Sequence, residues 1–268
     1  MPAGDRSYFG FDYQIYASVL IMLLRHQSSD FEALEVETDF GNDATVTLQR
    51  LEAQRTKTLD LVVPGEVSSI HVQVKTKIRT YQWQPNDLRK VLLKRDETNP
   101  QNTNYTLLDR LIQNPDEVFL FVTDGTLHTK LSGLLADIHT LRREIPNPQL
   151  ASIRNDLVNS VKKDNDKRHL LDSKLTIDVL KRVFVVDAWR IDDVQRCINE
   201  LLNKTYGIPA YDTPDKAKEL ADLIHDQMLR VGQQKRIDIS ELENIVGKPG
   251  LRVPFPDLAV CRSEILFD

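Results

Sequence analysis

The 268-residue chain is 41% hydrophobic and 28% charged, enough apolar material for a sizeable core. Its formal net charge of −5 argues against a protein that coats nucleic acid by bulk charge. No run of about 18 apolar residues suggests a membrane span, and the two cysteines, Cys197 and Cys261, are too few for a disulfide framework or a cysteine zinc site.

The start, MPAGDRSYFGFDYQ, carries Asp5 and Asp12 and lacks the apolar centre of a secretory leader, so a cytoplasmic setting is expected. FDYQIYASVLIMLLRH predicts a helix, with Phe11, Ile15, Val19 and Leu23 on one stripe. FEALEVETDF predicts a strand with Leu34 and Val36 on one side and Glu35 and Glu37 on the other; NDATVTLQRL predicts a second. LDLVV and IHVQVKTK predict two more, joined through Pro64-Gly65. NDLRKVLLKR predicts a helix capped by Asn86 or Asp87, and residues 96–105 a polar loop.

EVFLFVTDG predicts a strand buried on both faces. A helix should follow over LHTKLSGLLADIHTLRR, then a polar stretch at 144–170, a buried strand RVFVVDAW and a helix from Ile191 to Leu202. Two helices close the pattern. Thr213 with Pro214 should start one, and Ser240 with Glu243 reads as the capping box of the other. The order predicts an α/β fold: a mixed β-sheet sandwiched by helices, with a helical C-terminal appendage. The apolar close LAVCRSEILFD reads as part of a longer polypeptide.

The informative feature is the hairpin of LDLVV and IHVQVK. Residues two apart on a strand share a face, so Gln73 and Lys75 lie together, with Val72 and Val74 turned to the core. Asp60 on the partner strand can reach the same face. An acid, an amide and an ammonium in a buried hairpin cost several kcal/mol unless they are paired or hold a cation. Mg²⁺ commonly uses one or two carboxylates plus substrate phosphate, which Asp60 and the Gln73 oxygen could begin to supply. Such an ion activates water and polarises a phosphoryl oxygen, while Lys75 could stabilise the attack. From Arg50 to Arg95 ten Lys and Arg stand against four acids, a local excess of +6. The plainer reading is a salt-bridged edge hairpin on a solvated face.

Asp60 followed by Gln73-Val-Lys75 resembles the PD-(D/E)xK nuclease motif, in the variant where Gln replaces the second acid, as in Mrr-type restriction enzymes. GFDYQIYASVLIMLL resembles the helix that opens such domains, EVETDFGNDATV their acidic first strand, and WQPNDLRKVL the segment after the motif. The likeness is to the double-stranded DNA endonuclease domains of bacterial antiphage effectors, both cyclic-oligonucleotide-activated effectors and NLR-like STAND proteins. It covers residues 8–125.

The resemblance implies a restriction-endonuclease-like domain over 1–205 and a helical extension over 206–268 leading to a missing sensor or ATPase region. It implies Mg²⁺- or Mn²⁺-dependent hydrolysis of double-stranded DNA. Asp60, Gln73 and Lys75 would be catalytic, and Asp60, Gln73, Glu37 and Glu35 would ligate metal. Lys77, Arg79 and Gln14 would meet DNA. Asp43 is an alternative to Asp60, and His71 shares the Gln73 face as a minor candidate. A homo-oligomer is expected, formed by the chain itself or by the missing sensor. The alternatives are a non-catalytic nucleic-acid-binding or oligomerisation module, and an RNase on the same fold.

Overall fold

The computed structural model describes residues 3–27, 31–38, 42–48, 67–76, 82–93, 106–140, 178–229 and 235–250, with single positions at 155 and 159. The chain divides into two compact units. One comprises residues 1–37, 44–70 and 191–268; the other comprises 38–43 and 71–190. The expected boundary between 205 and 206 therefore does not coincide with the division by packing, because the C-terminal helices pack with the N-terminal one.

In the first unit, α1 spans Ala3–Gln27 and β1 Phe31–Thr38. Next come β2, Asn42–Leu48, then α5, Ile191–Tyr206, and α6, Thr213–Leu229. The unit ends with β8, Arg236–Asp238, and α7, Ile239–Val246. Strand order runs β2-β1-β8. The sequence predicted a one-sided apolar stripe on α1, but every residue from Ala17 to His26 is buried. Over that stretch the helix is covered all round, by α5 and α6 among others. The buried residues Val194, Ile198, Leu201 and Leu202 of α5 and Ala217, Leu220, Ala221 and Ile224 of α6 follow helical spacing.

The end of α1 is tied down by polar contacts. His26 stacks on Tyr206 with ring centroids 5.7 Å apart. Its Nδ1 lies 2.9 Å from the Tyr206 hydroxyl, which itself donates to the carbonyl of Leu23 at 3.3 Å. Glu243 lies 3.4 Å from His26 Nε2. Burial pushes the His26 pKa below its ordinary value, against the pull of Glu243.

Strand β8 was not predicted. Its three residues pair antiparallel with β1, Leu34 opposite Ile237 and Glu35 opposite Arg236. Asp238 ends β8 and starts α7: its backbone N–H donates to Glu241 Oε2 at 2.9 Å. The cap therefore sits two residues before the predicted Ser240, because strand pairing fixes where the helix can begin.

The second unit holds most of β3, Ser69–Lys75, with β4, Gln82–Trp83, α2, Pro85–Leu92, and α3, Leu107–Gln113. It continues with β5, Glu117–Thr123, β6, Thr126–Leu127, α4, Thr129–Thr140, and β7, Val183–Val186. Strand order is β7-β5-β3, with β5 and β7 parallel and Phe119 opposite Val183. With β1 and β8 antiparallel and β5 and β7 parallel, the protein is mixed α/β. β5 is buried from Val118 to Thr123, as its apolar run predicted.

The core of this unit joins Phe119 and Phe121 to Leu88, Leu92, Leu107, Leu108 and Leu111. Trp83 closes it, meeting Phe121 edge-on at 4.7 Å and donating its indole N–H to Thr123 Oγ1 at 2.9 Å. The cap of α2 is Gln84, ahead of the predicted Asn86 or Asp87; Pro85 takes the first helical position and Asp87 accepts from the Gln84 N–H at 3.0 Å. Helix α3 was not predicted. Thr106 and Asp109 form its capping box, with the Thr106 N–H on Asp109 Oδ2 at 2.8 Å and the Asp109 N–H on Thr106 Oγ1 at 3.2 Å.

Arg182, on the turn before β7, fastens α3 to β5. Its guanidinium donates to the carbonyls of Asn114 at 2.9 Å and Glu117 at 2.7 Å, and also to that of Leu111. Two of these oxygens belong to the end of α3, where helical carbonyls lack helical donors. Arg182→Met would leave these oxygens without their donor and should cost about 3 kcal/mol, read as a lowered urea midpoint. An unchanged midpoint would show that the clamp is not stabilising.

Candidate active site

Ile70, Val72 and Val74 make β3 a strand, since β-branched residues pack well on a pleated surface. The sequence predicted that the Val72 side alone would be core. In the structure both sides are buried: Val72 and His71 have no exposure, and Gln73 is 2% exposed. The strand is buried from Ile70 to Val74 and part-exposed at its two ends, Ser69 and Lys75.

His71 Nε2 lies 3.0 Å from Glu117 Oε2. These side chains touch, and residues two apart share a face, so His71, Gln73 and Lys75 line the same side as Glu117, Phe119 and Phe121. A polar row thus runs along β3 beside an aromatic core. It is closed at His71 and opens at Lys75.

The closed end is an ion cluster. Glu117 Oε2 accepts from Arg110 Nε at 2.8 Å and Oε1 from Arg110 Nη2 at 3.2 Å. An ionised carboxylate only accepts, so His71 presents a protonated Nε2 to it. Burial opposes charge on Glu117, but the hydrogen bonds from His71 and Arg110, with the positive charge of Arg110, outweigh it and hold its pKa at about 2. Sequence reasoning missed Glu117 and Arg110. The available signal was an acid opening the otherwise apolar run EVFLFV.

Gln73 and Lys75 are the two expected catalytic residues that the structure describes, and it places them on one face. Asp60, Lys77 and Arg79 lie outside the described residues. Glu37 and Asp43 are positions in β1 and β2 whose side chains also lie outside them. Glu35 is described and is engaged: Arg236 Nη1 lies 3.4 Å from its Oε1, while Arg236 also meets Glu32 at 3.3 Å and Asp238 at 2.7 Å. A ligand role for Glu35 would require breaking that pair. Gln14 is half-buried on α1, its carbonyl accepting from Ser18 Oγ at 2.9 Å.

Among the described residues, no group of three or more His, Cys, Asp or Glu could hold a metal ion. Gln73 alone offers one neutral oxygen, which does not make a Mg²⁺ site. None of the described helices is long and apolar enough to cross a membrane.

Three solved structures share the fold. All are of the Acinetobacter baumannii Cap4 SAVED/CARF-domain containing receptor. With the cyclic trinucleotide 2'3'3'-cAAA, the match has 15% identity and a TM-score of 0.52, over 88% of this chain and 44% of the receptor. The complex with 3'3'3'-cAAA gives the same values. A third structure of the receptor gives a TM-score of 0.51 at 15% identity, over 88% of this chain and 46% of the receptor. The chain thus spans less than half of the receptor's length. No protein-family model matches the chain, and no curated protein does.

The Glu117 cluster predicts a pH dependence. In the unfolded chain a glutamate titrates near about 4.3. The folded value is lower, so the stability tied to Glu117 is complete above the unfolded value and is lost as pH falls towards about 2. Urea unfolding should weaken across that window, and Glu117→Gln should flatten this part of the slope. An identical slope in the variant would mean that Glu117 is not held in its charged form.

Proposed function

We propose that this chain is the nuclease part of a bacterial antiphage effector, acting in the cytoplasm and hydrolysing phosphodiester bonds of double-stranded DNA with Mg²⁺ or Mn²⁺. The carrying observation is the polar row of β3. A strand otherwise buried on both faces brings Gln73 to the edge of the interior and Lys75 to its part-exposed end. Lys75 there can donate to a phosphate oxygen and balance charge that develops during attack. Gln73 can orient a group beside it through its amide.

Two further considerations support this reading. The Asp60…Gln73-Val-Lys75 pattern resembles nucleases of cyclic-oligonucleotide-activated effectors, and two of the similar solved structures are of a receptor with cyclic trinucleotides. Those complexes also favour a second reading, in which this chain is itself a cyclic-oligonucleotide-binding part without catalysis. The metal dependence rests on the resemblance and requires Asp60.

Supercoiled plasmid should be nicked and linearised by the purified chain with Mg²⁺ or Mn²⁺ and left intact with EDTA. Lys75→Ala should slow cutting by about 100-fold or more, the loss typical of one removed transition-state donor, with little change in melting temperature. Asp60→Ala should abolish it. Undiminished cutting by Lys75→Ala would remove the hairpin from the chemistry. No cutting with either metal, together with calorimetric binding of cyclic triadenylate, would select the second reading.

A further inference from the structure

The His71–Glu117 pair has a role that hydrolysis itself does not require. His71 is wholly enclosed, and its Nε2 is committed to Glu117, so it is poorly placed to serve as a base for water at the open end. Its anchor is held twice. Arg110 on α3 grips the Glu117 carboxylate, and Arg182 grips the Glu117 carbonyl at 2.7 Å.

The strand it holds needs such an anchor. A one-residue slip moves every side chain of a strand to the other face. Register is well specified where one face is apolar and the other polar. β3 is buried on both faces, so Ile70, Val72 and Val74 alone discriminate weakly between registers. A buried polar pair that can form in only one register supplies the missing discrimination, the best-attested use of such pairs.

We propose that His71 is a positioning residue: by donating to Glu117 it fixes the register of β3 against β5, and so keeps Gln73 and Lys75 on the face where they act. This rests on the nuclease reading for its functional consequence, but not for its structural one. Gln73 lies two residues beyond the pin and Lys75 four, about 7 and 13 Å along an extended strand. Small errors in such placement are costly, on the order of 100-fold for 1 Å.

The test compares His71→Leu, which fills the space but donates nothing, with His71→Gln, whose amide nitrogen can stand where Nε2 stood. Single-turnover cleavage should fall about tenfold or more in His71→Leu while DNA affinity stays within about twofold, and His71→Gln should recover most of the rate. In parallel, the Gln73 side-chain amide signals, assigned in a nitrogen–proton NMR spectrum with Gln73→Glu, should move in His71→Leu and return in His71→Gln. If His71→Leu does not fold, His71→Asn, polar but too short to reach Glu117, replaces it.

A wild-type chain that cuts no DNA, with Gln73 signals that still respond as expected, would overturn the nuclease reading and leave the pin standing. Unmoved Gln73 signals, no rescue by His71→Gln, or a loss of rate matched by a loss of affinity would overturn the pin.

Discussion

The second unit is organised around one largely buried carboxylate. Glu117 begins β5, and through it three elements meet: β3 by way of His71, α3 by way of Arg110, and the turn before β7 by way of Arg182 on its carbonyl. A carboxylate removed from water is costly unless its oxygens are satisfied, and here both oxygens have donors. Because His71 and Arg110 meet the carboxylate while Arg182 holds the carbonyl of the same residue, the cluster is also geometric information. It states where β3 must lie, where α3 must end and where β7 may start.

That arrangement explains what was legible in the sequence. Strands β1, β2, β3, β5 and β7 announced themselves through alternation or continuous apolar runs, because burial on a sheet leaves a periodic trace. Helix α3 left none, since LLDRLIQ spans only seven residues and depends on Thr106, Asp109 and the Arg182 clamp for its ends. Strand β8 is three residues long and exists through its pairing with β1. The misplaced cap of α7 has the same origin: Asp238-Ile-Ser-Glu241 and Ser240-Glu-Leu-Glu243 both fit a capping pattern, and the long-range pairing of β8 selects the first.

The candidate site was legible to the same degree. Parity alone put His71, Gln73 and Lys75 on one face, and the structure places them there. What parity cannot show is the partner across the face. Glu117 and Arg110 come from other elements, and Glu35 meets an arginine two hundred positions away in sequence. Local patterns report which side a residue occupies. Tertiary pairing decides whether its charge is already taken.

The burial of α1 has a consequence for how the chain comes into being. From Ala17 to His26 this helix is buried on every side, yet the helices that cover it, α5 and α6, are encoded after residues 71–190 of the second unit. During synthesis α1 therefore emerges long before its cover exists. For that interval its apolar side chains, Val19, Leu20 and Leu23 among them, lack the partners that bury them in the folded chain. Most of the second unit, residues 71–190, lies between α1 and α5 in sequence. Helices α5 and α6 are thus the ones that end the exposure of α1.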